Sequence, residues 1–266
     1  MITHAVDQFL RLGYTTAPFP FTRDLITATT LFNQLVEVFT SVQLENVCFD
    51  NEGNPTDHTD DRTDLGYIQR KGEPHGNGRY YDQKTFLHYA GEERLERALA
   101  RNNPDFLDTA RWLLQANKVV YALCQSIISD FARELDPHLG EGLNLSSRVG
   151  QPDDKLRTLA YQGSKPGSRE IGQAHCDQSG LTLAIYQSTP GLQLWINGEW
   201  QEITNPNGVA TIFAGRRLEK FTGGQIAAMP HRILSPIDSN KNTGEGRKTN
   251  RLSMVFFSNI QGIDLD

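Results

Sequence analysis

The spacing of apolar positions divides the 266-residue chain into two textures. Up to about residue 143, apolar side chains recur at helical intervals. In "FTRDLITATTLFNQLVEVF", Leu25, Ile26, Leu31, Phe32, Leu35 and Phe39 form a stripe behind Thr22, which predicts an amphipathic helix capped by that hydroxyl. From Asp105 to Leu135 a longer stripe of Leu113, Val120, Leu123, Ile127, Phe131 and Leu135 steps by three, four and seven residues, and Pro137 ends it. Between the two stripes lies a stretch rich in Gly, Asn, Asp and Pro as far as Tyr80. It reads as a long loop with one or two short strands, and loops of this length are often lids or binding loops.

After Asn144 the period shortens. "LRTLAYQ", "LTLAIYQ", "LQLWI", "EWQEI", "VATIFAG", "QIAAMPHRIL" and "RLSMVFFSN" are strand-like runs separated by turn signals such as "KPGSRE", "TPG", "NGE" and "NPNG". Many short strands in series suggest a sandwich, jelly roll or barrel. The expectation is an α+β protein, mainly β with flanking helices. It is read as a single domain over 1–266, in which a helical region, 1–143, packs on a β core, 144–266.

Composition narrows the function classes. A formal net charge of −6 argues against a nucleic-acid surface. Three cysteines, Cys48, Cys124 and Cys176, are odd in number and far apart, so a reducing compartment is expected rather than a disulfide framework. "MITHAVDQFLRLGY" lacks the basic start and apolar core of a signal peptide, and no run approaches membrane-spanning length. These features point to a cytoplasmic protein acting on small molecules, with no nucleic-acid or membrane partner, as a monomer or weak oligomer.

Two His-x-Asp pairs occur, His175/Asp177 in "QAHCDQSGLTLAIYQ" and His58/Asp60 in "DHTDDRTD". With this composition roughly 0.5 such pairs arise by chance, so context must choose between them. His58 and Asp60 sit among further acids without apolar alternation, as in a solvated loop. A strand instead puts positions i and i+2 on one face, so His175 and Asp177 can present two ligands while Cys176 turns away. His231, in another strand-like run, supplies a third. Two histidines and a carboxylate leave open positions for a non-haem Fe(II) oxygenase; the same donors could hold catalytic zinc with a water. Arg251 and Ser253 in "NRLSMVFF" favour iron, because together they form a carboxylate receptor on one strand face. A dicarboxylate such as 2-oxoglutarate could meet metal and Arg251 at its two ends.

The order His-x-Asp, distant His, Arg-x-Ser resembles the isopenicillin N synthase-like family of Fe(II)- and 2-oxoglutarate-dependent dioxygenases. "AHCDQSGLTLAIYQSTPGLQLWINGEWQEI", "LEKFTGGQIAAMPHRI" and "NRLSMVFF" carry the resemblance. It implies a double-stranded β-helix (jelly roll) with a long flanking helix. His175, Asp177 and His231 would be iron ligands and the catalytic centre, with Arg251 and Ser253 on the distal carboxylate of 2-oxoglutarate and Tyr161 beside the co-substrate. Tyr161 lacks the family's usual Asn-Tyr-Tyr-Pro setting and reads equally as a packed strand aromatic. Gly215-Arg216 replaces the usual Gly-Asp, a change expected to touch no ligand. The N-terminal strand of many plant members is not recognisable. The implied reaction consumes O2 and 2-oxoglutarate, releases succinate and CO2, and oxidises a small molecule, by hydroxylation or else desaturation or cyclisation. Tyr67, Arg70, Lys71, Tyr80, Tyr81, Arg157 and Arg247 are candidate contacts for a carboxylated or amino-acid-like substrate. The alternatives are an isopenicillin N synthase-like oxidase that uses no 2-oxoglutarate, and a β-domain metal-binding module that is not an oxygenase.

Overall fold

The side chain of Thr22 opens the second helix by accepting a hydrogen bond from Leu25 N at 3.2 Å, the cap expected from the stripe behind it. In the computed structural model, which describes residues 2–20, 22–42, 47–49, 65–70, 83–91, 104–150, 154–161, 169–235 and 251–265, that helix is α2 (Arg23–Val42). The long helix α3 runs Pro104–Leu135, with Pro104 at its start and Pro137 just past its end. An unforeseen helix, α1 (Ile2–Leu12), precedes both and buries Val6 and Phe9. Gly13 ends it at φ 73°, its N–H bonding Phe9 O at 2.7 Å. The Phe9 and Phe131 rings meet edge to face at 5.0 Å and tie α1 to α3.

The strands are β1 (Tyr14–Pro18), β2 (Val47–Phe49), β3 (Leu65–Arg70), β4 (Lys84–Tyr89), β5 (Lys155–Tyr161), β6 (Glu170–His175), β7 (Leu181–Gln187), β8 (Leu192–Ile196), β9 (Glu199–Glu202), β10 (Val209–Ala214), β11 (His231–Leu234) and β12 (Arg251–Ser258). A short helix, α4 (Arg216–Phe221), follows β10. One sheet has the order β1-β10-β7-β12-β5-β4-β3-β2 and the other β6-β11-β8-β9. The strand-like runs after Asn144 therefore become strands, with one trimmed. "QIAAMPHRIL" pairs only from His231, because Pro230 has no N–H to give to a ladder. Three strands, β2 to β4, lie where one or two were expected, and β1 is the N-terminal strand that the sequence concealed. It pairs with β10 from Tyr14↔Phe213 to Pro18↔Val209, its proline at the sheet edge.

The large sheet is covered on both faces. Leu156 and Ala160 of β5, Leu87 and Tyr89 of β4, and Met254 and Phe256 of β12 join a core shared with α1, α2 and α3. The alternate residues Phe86, Leu159 and Tyr161 join a second core between the two sheets. Coverage on both faces explains why these strands read as continuous apolar runs rather than a polar alternation. Phe256 is fully buried and meets Tyr121 of α3 edge to face at 5.3 Å. Phe256→Ala is expected to cost about 3–5 kcal/mol of stability, read as a lower urea midpoint; a loss under about 1 kcal/mol would show that α3 does not depend on this contact.

Candidate metal centre and anion pocket

β6 ends at His175, β11 begins at His231, and the two are cross-strand partners in the small sheet. Antiparallel register therefore brings together two histidines 56 positions apart in the chain, with ring centroids 4.4 Å apart. Asp177 is not on a strand, contrary to the expectation from i, i+2 alternation. The chain leaves the sheet after His175 and turns through residues 178–180 before β7. Asp177 is instead placed by hydrogen bonds: Thr182 Oγ1 donates to its Oδ2 at 2.8 Å, Ser179 Oγ backs Thr182 at 2.9 Å, and Arg216 N donates to its backbone O at 2.8 Å. It is the main-chain N–H at position 216, independent of the side chain there, that grips the backbone of one candidate. Gly215 is required there, since a Cβ would lie 2.1 Å from Ser179 O.

Asp177 Oδ1 lies 3.4 Å from His175 Nε2 and 3.7 Å from His231 Nε2. The Nδ1 atoms face backbone carbonyls instead, that of His175 on Gln173 O at 2.6 Å and that of His231 on Met229 O at 3.2 Å. An Nδ1–H donated to a carbonyl leaves Nε2 as a lone pair directed at the cluster, the arrangement that orients a metal-binding imidazole. Burial pushes His231 down to about 4, against the pull of Asp177. Burial also opposes charge on His175, but the hydrogen bond and charge of Asp177 outweigh it and raise its pKa. On Asp177 burial is overcome by His231, His175 and Thr182, which hold the carboxyl well below its usual range. Its side chain is 10% exposed and that of His175 50%, so a buried anion faces a half-open imidazole.

Among the described residues these three are the one group of His, Cys, Asp or Glu with ligand atoms clustered closely enough for a metal, all within 4.8 Å of one another. Two neutral imidazoles and an ionised carboxylate fit a divalent iron centre by donor chemistry.

Arg251 and Ser253 line the same pocket. Arg251 is 3% exposed. Its Nε donates to the carbonyls of Thr189 and Pro190 at 3.2 and 3.4 Å, its Nη2 to Gln187 Oε1 at 2.7 Å, and its Nη1 to Ser253 Oγ. Every one of these acceptors is neutral. Burial lowers its pKa, with Tyr161 pulling the other way, and no carboxylate among the described residues pairs with it. A buried cation without a counter-charge is costly, which makes Arg251 a candidate anion receptor. Tyr161 lies opposite Arg251 in register, its ring 5.9 Å from the guanidinium carbon. Its hydroxyl reaches the small sheet at Gly172, where a Cβ would come within 3.1 Å of it.

Arg157 also lines the pocket. Tyr67 and Arg70 fall on β3, of which only the backbone is described, while Lys71, Tyr80, Tyr81 and Arg247 lie outside the described residues, as do His58 and Asp60. Sequence reasoning missed Thr182, Gln187 and Lys84. The first two had a signal: a polar residue in or at the end of an apolar strand needs a buried partner. Lys84, buried on β4 and also in the pocket lining, had none.

Fold and site together define a jelly-roll protein whose interior holds two histidines and a carboxylate beside a buried arginine. Residues 152–260 match the family model described as the 2OG-Fe(II) oxygenase superfamily. It is 26% identical to 1-aminocyclopropane-1-carboxylate oxidase 4 of Arabidopsis thaliana over 152 residues, 51% of this chain and 44% of that protein. It is 27% identical to gibberellin 2-beta-dioxygenase 7 of the same plant over 125 residues, 45% of this chain and 34% of that one. The matched segments thus span less than half the length of either relative. In structure it is similar to a full-length Neurospora crassa protein solved in complex with alpha-KG and 5-formyluracil, at TM-score 0.72 and 18% identity over 98% of this chain and 78% of that one. That likeness establishes the fold. Among the described residues no helix is long and apolar enough to cross a membrane.

Two outcomes follow from the geometry. Thr182→Val is expected to weaken Fe(II) or Co(II) binding about 10–100-fold, measured by competition with a chelator; unchanged affinity would remove Thr182 from the site. A metal must displace the proton that His175 holds below its raised pKa, so affinity should fall with acidity by up to about tenfold per pH unit. A flat profile between neutral and mildly acid pH would contradict that competition.

Proposed function

We propose that the chain is an Fe(II)- and 2-oxoglutarate-dependent oxygenase of a small molecule, with His175, Asp177 and His231 as iron ligands. The observation that carries this reading is one pocket holding both the three-residue cluster and Arg251, a buried cation whose hydrogen-bond acceptors are all neutral. A metal-binding module needs no such arginine, and an oxidase would need it only for a carboxylate carried by its own substrate, a case that dependence on 2-oxoglutarate separates.

In this reading the two imidazoles and Asp177 hold the iron, and the carbonyls of Gln173 and Met229 keep both Nε2 atoms turned inward. Arg251 and Ser253 grip the distal carboxylate of 2-oxoglutarate through a guanidinium fork and a hydroxyl. Gln187 and the carbonyls of Thr189 and Pro190 fix the fork in advance, so little side-chain freedom is lost on binding. Tyr161 borders the co-substrate. When bound, iron and 2-oxoglutarate supply the O2-consuming oxidative decarboxylation that yields succinate and CO2. The apolar walls, among them Leu159, Phe213 and Ile233, exclude water and position the substrate. Hydroxylation is the expected outcome on the substrate, and the 266 residues act as a single domain.

His175→Ala or Asp177→Ala should abolish Fe(II)-dependent succinate release, and retained release in either variant would sink the assignment. Arg251→Met should raise the KM for 2-oxoglutarate about 30-fold or more, the equivalent of losing roughly 2–5 kcal/mol from a buried charge pair. Substrate oxidation that persists without 2-oxoglutarate would instead mark an oxidase.

A further inference from the structure

The inner face of the large sheet carries a second positive pole, distinct from Arg251. Cross-strand register defines two rows: Lys84, Tyr161 and Arg251 form one, and His88, Arg157 and Val255 the other. Four residues of β5 separate the rows, about 13 Å along a strand, much more than a five-carbon dicarboxylate spans. One 2-oxoglutarate held at Arg251 therefore does not reach Arg157.

Arg157 is held firmly. Its guanidinium carbon lies 4.9 Å from the Phe86 ring centroid and 4.9 Å from that of Phe257, while its Nε donates to His88 Nε2 at 2.7 Å. His88 is buried, and as acceptor at Nε2 it carries its proton on Nδ1 and is neutral. Two rings and an imidazole thus fix a cation in the pocket wall. Between the rows the inward positions that line the pocket are Leu159, Ser253 and Gln187, and Ala184 continues the Arg157 row beyond Val255. The pocket thus presents a fixed guanidinium at each end, Arg251 in the row that also holds Lys84 and Arg157 in the other, with the apolar Leu159 between them beside the Ser253 hydroxyl.

We propose that Arg157 anchors the carboxylate of the oxidised substrate, which is a monocarboxylic acid with an apolar body. The acid group sits between the Phe86 and Phe257 rings on the guanidinium fork, and the apolar chain extends along Leu159 and Val255 toward the cluster. This rests on the reading of Arg251 as the co-substrate anchor, because a dicarboxylate held there leaves the other end of the pocket to the substrate. Recognition is by charge and shape, and it predicts discrimination between an acid and its isosteric neutral amide.

The test is calorimetric, with full-length protein loaded anaerobically with Co(II) and excess 2-oxoglutarate so that the Arg251 end is filled. Hexanoate, octanoate and phenylpropanoate are titrated, each against its primary amide. Wild type should bind at least one acid about tenfold or more tighter than its amide, as expected of a charge-assisted bidentate contact. Arg157→Met should bring that ratio to about one while 2-oxoglutarate affinity stays within about twofold. Equal affinity for acid and amide throughout the series in wild type overturns the proposal without reference to a variant. A preserved ratio in Arg157→Met that still binds 2-oxoglutarate overturns it as well. Should that variant not fold, Arg157→Gln is read by the same criteria. Failure of wild type to bind 2-oxoglutarate with Co(II) would count against the oxygenase reading instead, and is seen in the same samples before any acid is added.

Discussion

Alternation along β12 and its partners β5 and β7 is the constraint from which the rest of the structure follows. Because successive side chains leave opposite faces of a strand, Met254 and Phe256 must serve the helix-side core while Arg251, Ser253, Val255 and Phe257 serve the space between the sheets. A slip of one residue would exchange the two sets, burying Arg251 against α3 and exposing Phe256 to the pocket. The register Arg251↔Tyr161 through Phe257↔Lys155 is thus as necessary to the chemistry as to the packing. The helices matter to the site for the same reason: by occupying one face, they force the polar groups that the site uses onto the other.

Placement of the metal cluster uses two different devices. His175 and His231 are joined by strand pairing, which is rigid and insensitive to local sequence. Asp177 lies off the sheet and is held by Thr182 and Ser179 side chains and by the first N–H of α4. A carboxylate fixed by a short hydrogen-bond chain keeps its position when it carries charge, and the same bonds help keep it ionised at depth. Arg251 is the opposite case, a cation surrounded by neutral acceptors, with no carboxylate paired to it among the described residues. Together they make a site in which the protein has paid the desolvation cost before binding.

Much of this was legible along the chain. The stripes behind Thr22 and up to Leu135 announced α2 and α3, and the turn signals after Asn144 separated most of the strands, because amphipathic period and turn chemistry are local properties. The spacing of His175, Asp177, His231, Arg251 and Ser253 was legible too, since a costly residue type in an apolar run asks for an explanation. The strand β1 was hidden because Tyr14–Pro18 is short, contains a proline and pairs with β10 nearly two hundred positions later. Asp177 was expected on a strand but lies just beyond one, because period-two spacing cannot tell a strand from the turn that leaves it. Lys84 gave no warning, for a lysine at the edge of a polar loop looks solvated until β4 is carried into the sheet interior.

The sequence by itself determined the types of group available and the elements that carry them: two histidines, one carboxylate, one arginine with its serine, amphipathic helices and a series of short strands. These depend on side-chain chemistry and on periods of a few residues. Only the tertiary structure decided which groups meet. It joined His175 to His231 across a ladder, set Asp177 against Thr182, stripped Arg251 of any counter-charge among the described residues, and placed Arg157 four residues down the same face between two phenylalanine rings. Those relations depend on register and on the packing of distant segments, which no local pattern encodes.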